Sequence, residues 1–156
     1  MPIIFARVDD RLIHGQIVQA WLPELNIDEV VIPCHKQRQA QLNPKLLRLS
    51  LPFEYELTVL EPAQCVRYIS QSAKRIFLLM EALQDFQPLV EDGLKINSLN
   101  IGGMHFKEGA QKLAEHVFLS QADKKTLAIL HDLGISIETR AVPNSKSLTL
   151  KEIMDI

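Results

Sequence analysis

Between residues 3 and 142, short unbroken apolar runs alternate with stretches in which apolar residues recur every three or four positions. Unbroken runs suit strands buried on both faces, and the wider repeat suits helices laid across them. The alternation predicts an α/β domain built on an open, mainly parallel sheet of about seven strands with helices on both faces. Strands are expected over 3–8, 28–33, 55–60, 75–80, 98–101, 116–119 and 136–142.

Helices are expected over 15–22, 37–49, 62–70, 83–91 and 120–134, with a short strand or helix over 147–156. In the first, Ile17, Val18, Trp21 and Leu22 share one face, which gives Trp21 a core role. In the second, Leu42, Leu46 and Leu49 align, although Pro44 argues for a start nearer residue 43. Gly93 stops the fourth helix. Ser120, with Asp123 three residues on, resembles a capping box. Lys124 and Lys125 follow on what reads as a solvated face. No repeat, low-complexity stretch or Pro/Gly/Ser-rich linker divides the sequence, so residues 1–156 read as a single domain.

Composition narrows the function. Hydrophobic residues are 47% and charged residues 23%, which fits a folded domain with a real core. The formal net charge of −2 gives no basic field for a nucleic-acid partner. No apolar run approaches the roughly 18 residues of a membrane span. The opening Met1-Pro2-Ile3-Ile4-Phe5-Ala6-Arg7 lacks the layout of a secretory signal. The chain therefore reads as cytoplasmic. Cys34 and Cys65 are too few for a disulfide framework and read as small buried apolar residues. Cys34-His35, Cys65, His105 and His116 offer no recognised ligand spacing, so no metal is expected. Gly102-Gly103 completes neither a dinucleotide fingerprint nor a Walker A motif.

Chemistry concentrates after the first strand, in Arg7-Val8-Asp9-Asp10-Arg11-Leu12-Ile13-His14-Gly15-Gln16. Open parallel sheets bind ligands beyond the carboxyl ends of their strands. This segment joins such an end to the start of a helix, where free amides favour an anion. A neutral imidazole at His14 can attack a phosphoryl group and later release it. The forked guanidinium of Arg11 suits phosphate oxygens. Asp9 or Asp10 is placed to hold the imidazole tautomer or to orient Arg11. Gly15, followed by Gln16, allows close approach of the backbone. A charged surface loop whose ion pairs only shape the turn would have the same composition.

The stretch from Ala6 to Val18, Ala-Arg-Val-Asp-Asp-Arg-Leu-Ile-His-Gly-Gln-Ile-Val, resembles the phosphorylation-site signature of the mannose/sorbose family of phosphotransferase-system IIB subunits. Three further stretches are similar to that family. They are Leu99-Asn100-Ile101-Gly102-Gly103-Met104-His105-Phe106-Lys107-Glu108-Gly109, Val117-Phe118-Leu119-Ser120 with Asp123, and Val142-Pro143-Asn144-Ser145-Lys146. The resemblance covers residues 2–148. It implies a protein-phosphohistidine–sugar phosphotransferase that needs no cofactor. A IIA protein would place a phosphoryl group on Nδ1 of His14. A sugar entering through membrane IIC and IID subunits would receive it. Gly102, Gly103 and His105 would then line the pocket.

Two loops depart from the family pattern. After the second strand the family is usually acidic, whereas here Cys34-His35-Lys36-Gln37-Arg38 is basic. After the fourth strand many members carry a basic or hydroxyl residue, whereas here Met80-Glu81-Ala82-Leu83 brings an acid. A free carboxylate there would repel phosphate. The departures give weight to a second reading, a phosphorylation-dependent regulatory or binding module of the same fold without sugar transport.

Overall fold

The structure is a computed structural model that describes residues 2–155. Met1 and Ile156, the ends of the expected domain, lie outside the described residues. Eight strands form: β1 Ile3–Val8, β2 Glu29–Pro33, β3 Glu56–Leu60, β4 Ile76–Met80, β5 Ser98–Ile101, β6 Gln111–Ala114, β7 Val117–Leu119 and β8 Ser136–Glu138. Six of them make one parallel sheet in the order β3-β2-β4-β1-β5-β8. The helices are α1 Lys36–Leu42, α2 Pro44–Ser50, α3 Pro62–Gln71, α4 Phe86–Glu91, α5 Gln121–Asp132 and α6 Leu150–Met154.

Alternation along the strands divides the core. On β4, Ile76, Leu78 and Met80 face a cluster with Cys65 and Ile69 of α3, Phe86 and Leu89 of α4, Leu127 and Leu130 of α5 and Ile153 of α6. Phe77 and Leu79 face the opposite cluster, with Ile17, Trp21, Val30 and Ile32, against which Leu42 and Leu47 pack. Both faces are covered, which is why these strands read as unbroken apolar runs. Burial pushes the Cys65 thiol up to about 12, so it packs as a small apolar group.

Several expectations change. The sheet has six strands, because the segment expected over 116–119 leaves it. As β7 it pairs antiparallel with β6, a strand that the sequence pattern did not reveal. The Lys124 side chain is buried, with Nζ 3.0 Å from Gln111 Oε1 on that hairpin, so it is not solvated. The helix expected over 37–49 is two. Asn43 breaks it at φ 52°, because Pro44 bars the residue before it from the helical region and Asn tolerates the left-handed one. The last strand ends at Glu138 rather than at 142. The carbonyls of Arg140 and Ala141 turn inward to accept from Arg7, and Ala141 also accepts from Trp21 Nε1 at 2.8 Å. The helix expected over 15–22 widens to a π turn over Ile17–Trp21, with Leu22 N–H bonding the Ile17 carbonyl. The segment expected over 83–91 opens with a 3₁₀ turn, Leu83–Asp85. The tail forms the short α6.

The capping box of α5 is present: Ser120 Oγ accepts from Asp123 N–H, and Asp123 accepts from Ser120 N–H. Asp123 is buried and also accepts from Gln84 Nε2 and pairs with Lys107 at 3.0 Å. Burial pushes its pKa up, but the hydrogen bonds from Ser120, Lys107 and Gln84 bring it below the usual range. Ser120→Ala is therefore expected to cost about 1 kcal/mol in urea denaturation. Asp123→Ala should cost more, because it also strands Lys107 and Gln84.

Candidate active site

Of the residues singled out by sequence, Arg11 and His14 converge on one carboxylate, Asp9, at the carboxyl end of β1. Asp9 is fully buried. Its Oδ1 accepts from the backbone N–H and Nε of Arg11 at 3.1 and 3.0 Å. Its Oδ2 accepts from Arg11 Nη2 at 3.0 Å and from Arg7 Nη2 at 3.1 Å, and lies 3.0 Å from His14 Nε2. Burial opposes charge on Asp9, but the bonds from His14 and Arg11 and the charge of Arg7 outweigh it, holding the carboxyl well below the usual carboxylate range. An ionised carboxylate can only accept. The Nε2 of His14 must then carry a proton, and in the neutral ring Nδ1 is the nitrogen with the lone pair. No described residue hydrogen-bonds Nδ1, and the His14 side chain remains 18% exposed.

The turn that returns His14 to Asp9 is short. Leu12 N–H bonds the Asp9 carbonyl at 3.0 Å, and Leu12 adopts φ 54°, a left-handed conformation costly for a Leu. Its side chain is nevertheless buried with Ile13 and Ile17, so apolar packing holds the strained turn in place.

Arg7 lies in the segment where the chemistry concentrates, but the sequence reading gives it no role of its own. It is fully buried, with its guanidinium carbon 5.5 Å from the Trp21 ring centre. Nη1 donates to Asn100 Oδ1 at 2.6 Å, and Nη2 donates to Gln16 Oε1 at 2.7 Å. Desolvation lowers its pKa, with the adjacent Asp9 opposing the shift. The signal available in sequence was a charged residue inside an apolar strand, since such a residue must find partners. Arg7 and Arg11 together bring two positive charges to one Asp9. Arg7 is buried and also lies in the field of Glu138, so of the two it is the part-exposed Arg11 that stays open to an anion.

The glycine pair fixes this arrangement from the neighbouring strand. A Cβ on Gly102 would lie 2.4 Å from Arg7 Nε, and one on Gly103 would lie 2.6 Å from Asp9 Oδ1 and 2.7 Å from Arg11 Nε. Gly103 C=O also accepts from Asp10 N–H at 2.8 Å. Gly102 further lines a cavity of about 230 Å³ with Arg11, Gln16, His116 and Thr139. Beside Gly15, in contrast, there is open space, so any close approach at that residue comes from outside the chain.

Asp10 neither touches His14 nor orients Arg11; Asp9 takes both roles. Successive side chains at a strand end point apart. Asp10 Oδ2 instead accepts from His105, from the backbone N–H at 2.6 Å and at Nδ1 at 2.5 Å. His105 lines a cleft of about 250 Å³ with Asp10, Arg38, Glu81, Gln84 and Lys107. The two departing loops meet at this cleft, where Arg38 forms an ion pair with Glu81. The acid of one loop is matched by the base of the other, and Glu81 does not stand as a free repulsive charge.

Residues 3–156 match the family model described as "PTS system sorbose subfamily IIB component", where PTS denotes the phosphotransferase system. The chain belongs to this family. The sorbose-specific EIIB component of Lacticaseibacillus casei is 30% identical over 150 residues, covering 94% of this chain and 92% of that one. The mannose-specific EIIAB component of Escherichia coli strain K12 is 30% identical over 157 residues, and this chain spans 49% of its length. The crystal structure of the IIBSor domain of the sorbose permease from Klebsiella pneumoniae superposes with a TM-score of 0.89 at 29% identity, covering 99% and 98% of the two chains. As a IIB component the protein is a phosphotransferase, with a phosphotransfer role in sugar uptake. No helix among the described residues is long and apolar enough to cross a membrane.

Three measurements test this geometry. Gly102→Ala should lower stability by about 3 kcal/mol in chemical denaturation, because it evicts Arg7 from a buried ion pair. Gly15→Ala should leave stability within about 0.5 kcal/mol. In ¹⁵N NMR the His14 ring of the wild type should show a protonated Nε2 and an unprotonated Nδ1. Asp9→Asn presents an amide donor and should reverse that tautomer, with a loss of phosphoryl acceptance on the order of 10³-fold or more.

Proposed function

We propose that His14 carries the phosphoryl group, accepting it on Nδ1 from a phosphohistidine of a IIA protein and passing it to a sugar delivered by membrane IIC and IID subunits. The observation that carries this reading is the Asp9–His14 contact, which leaves the Nδ1 lone pair as the nucleophile. When Nδ1 bonds phosphorus, the donor imidazole leaves and the His14 ring becomes cationic, with Nε2 still protonated. Asp9 stabilises that cation at 3.0 Å. When the acceptor attacks, the P–Nδ1 bond breaks and a neutral imidazole departs with its Nε2 proton in place. Asp9 therefore serves both halves of the transfer without exchanging a proton itself.

In this scheme Arg11 does two tasks. Nε and Nη2 are engaged by Asp9, while Nη1, on a side chain 32% exposed, turns to the phosphoryl oxygens. Gln16 is anchored through Oε1 by Arg7, which leaves its amide N–H groups for the same oxygens. The backbone at Gly15 offers open space for the incoming group. Stabilisation of the transferring group then comes from fixed donors that need no reorganisation. The chain works as one cytoplasmic domain that meets the membrane only through its partners. The Escherichia coli relative, named as an EIIAB component, supports a IIA partner. Relatives named for sorbose and for mannose make these two sugars the first acceptors to test.

Incubation with phosphoenolpyruvate, the general phosphorelay proteins and a IIA partner should add the mass of one acid-labile phosphoryl group to the wild type and none to His14→Ala. Equal loading of both proteins would remove His14 from the reaction. Arg11→Lys keeps the charge but loses the fork that spans Asp9 and phosphate, so loading should slow by about 10-fold or more.

A further inference from the structure

Consecutive aspartates each hold a histidine, but by opposite ring nitrogens. Asp9 takes Nε2 of His14 and frees Nδ1. Asp10 takes Nδ1 of His105 and frees Nε2. The His105 side chain is 81% exposed, yet its ring Nδ1 is held by a carboxylate that is itself only 19% exposed and that also accepts from the His105 backbone N–H. The segment that carries it is held as well. Gly103 packs on Asp9, Asp10 and Arg11, while Met104 N–H bonds the His116 carbonyl and Phe118 N–H bonds the Met104 carbonyl. An aspartate that accepts from one imidazole nitrogen and leaves the other bare is the arrangement of a general base.

The transfer to a sugar needs a base, and the transfer from IIA does not. In the first, an alcohol oxygen attacks phosphorus, the P–Nδ1 bond of His14 breaks and the hydroxyl proton must leave. In the second, one imidazole replaces another and no proton moves. Asp9 is saturated by two guanidinium groups and His14. Glu81 is paired with Arg38, and Asp123 with Lys107. His116 has no side-chain hydrogen bond to set its tautomer among the described residues.

We propose that His105, oriented by Asp10, is the general base of the sugar-phosphorylating step. Its Nε2 takes the proton of the attacking hydroxyl as the O–P bond forms and His14 departs. The cleft beside it, lined by Arg38, Glu81, Gln84 and Lys107, presents donors and acceptors to a polyhydroxylated acceptor. This assignment rests on the phosphocarrier reading of His14, and the two half-reactions separate the one from the other.

Each protein is loaded on His14 through the phosphorelay and IIA, then mixed with vesicles carrying the IIC and IID partners and a hexose panel that includes sorbose and mannose. Loading and discharge to sugar phosphate are timed separately. His105→Ala and His105→Gln should load within about twofold of wild type and discharge at least ~10²-fold more slowly. Added imidazole should restore part of the discharge rate to His105→Ala and leave the wild type unchanged. His116→Ala should discharge normally. Discharge of His105→Ala at the wild-type rate would overturn the proposal. So would loading and discharge falling together in both His105 variants, which is the mark of a loop support. A wild type that loads but yields no sugar phosphate would remove the step that His105 is held to serve. A wild type that never loads would defeat the phosphocarrier reading first.

Discussion

One buried carboxylate organises the carboxyl edge of the sheet. Asp9 sits at the end of a central strand with no exposure to water, and its charge is sustained by two guanidinium groups and an imidazole N–H. Removing any one partner leaves a charge in a medium that solvates it poorly. The same cluster fixes the course of the chain around it. Arg7 draws the Arg140 and Ala141 carbonyls inward and ends the last strand. Trp21, stacked on Phe5 at 4.5 Å, closes the far side and donates to Ala141. Gly102 and Gly103 exist in their positions because any Cβ would enter the cluster.

That rigidity has a chemical consequence. In the proposed scheme His14 presents one ring nitrogen to two partners in turn, so the ring must keep its tautomer through both encounters. A depressed Asp9 can only accept, which keeps Nε2 protonated and makes Nδ1 the nucleophilic nitrogen of the neutral ring. Placing the carboxylate inside the sheet end, rather than on the loop, gives the loop a fixed reference while His14 stays accessible at its surface. The strained Leu12 turn is the local cost of folding the loop back over so short a span, offset by burial of the Leu12 and Ile13 side chains.

The edge beyond the cluster is polar but locally neutralised. Arg38 meets Glu81, His105 meets Asp10, and Lys107 meets Asp123. The segments after β2 and β4 thus compensate each other's charge across a cleft. An ion pair part-exposed to solvent adds little stability. Its effect is on what the cleft presents to a partner or an acceptor, namely matched donors and acceptors in place of a bare acid.

The sequence by itself determined the α/β class, the five leading strands within a residue or so, the capping box of α5 and the position of the chemistry in the first loop. These features are written in short-range patterns: unbroken apolar runs, a cap three residues from its partner, a histidine where a strand passes into a helix. Only the tertiary structure decided that Asp9 and not Asp10 holds His14, that Arg7 is buried, that Lys124 is not solvated and that the segment over 116–119 leaves the sheet for a hairpin. It also decided that the last strand stops at Glu138. The physical reason is distance along the chain. Arg7 is satisfied by Asn100, 93 residues away, and by Arg140, 133 residues away. No local periodicity carries such a pairing; it forms when the sheet brings β1, β5 and the segment after β8 side by side.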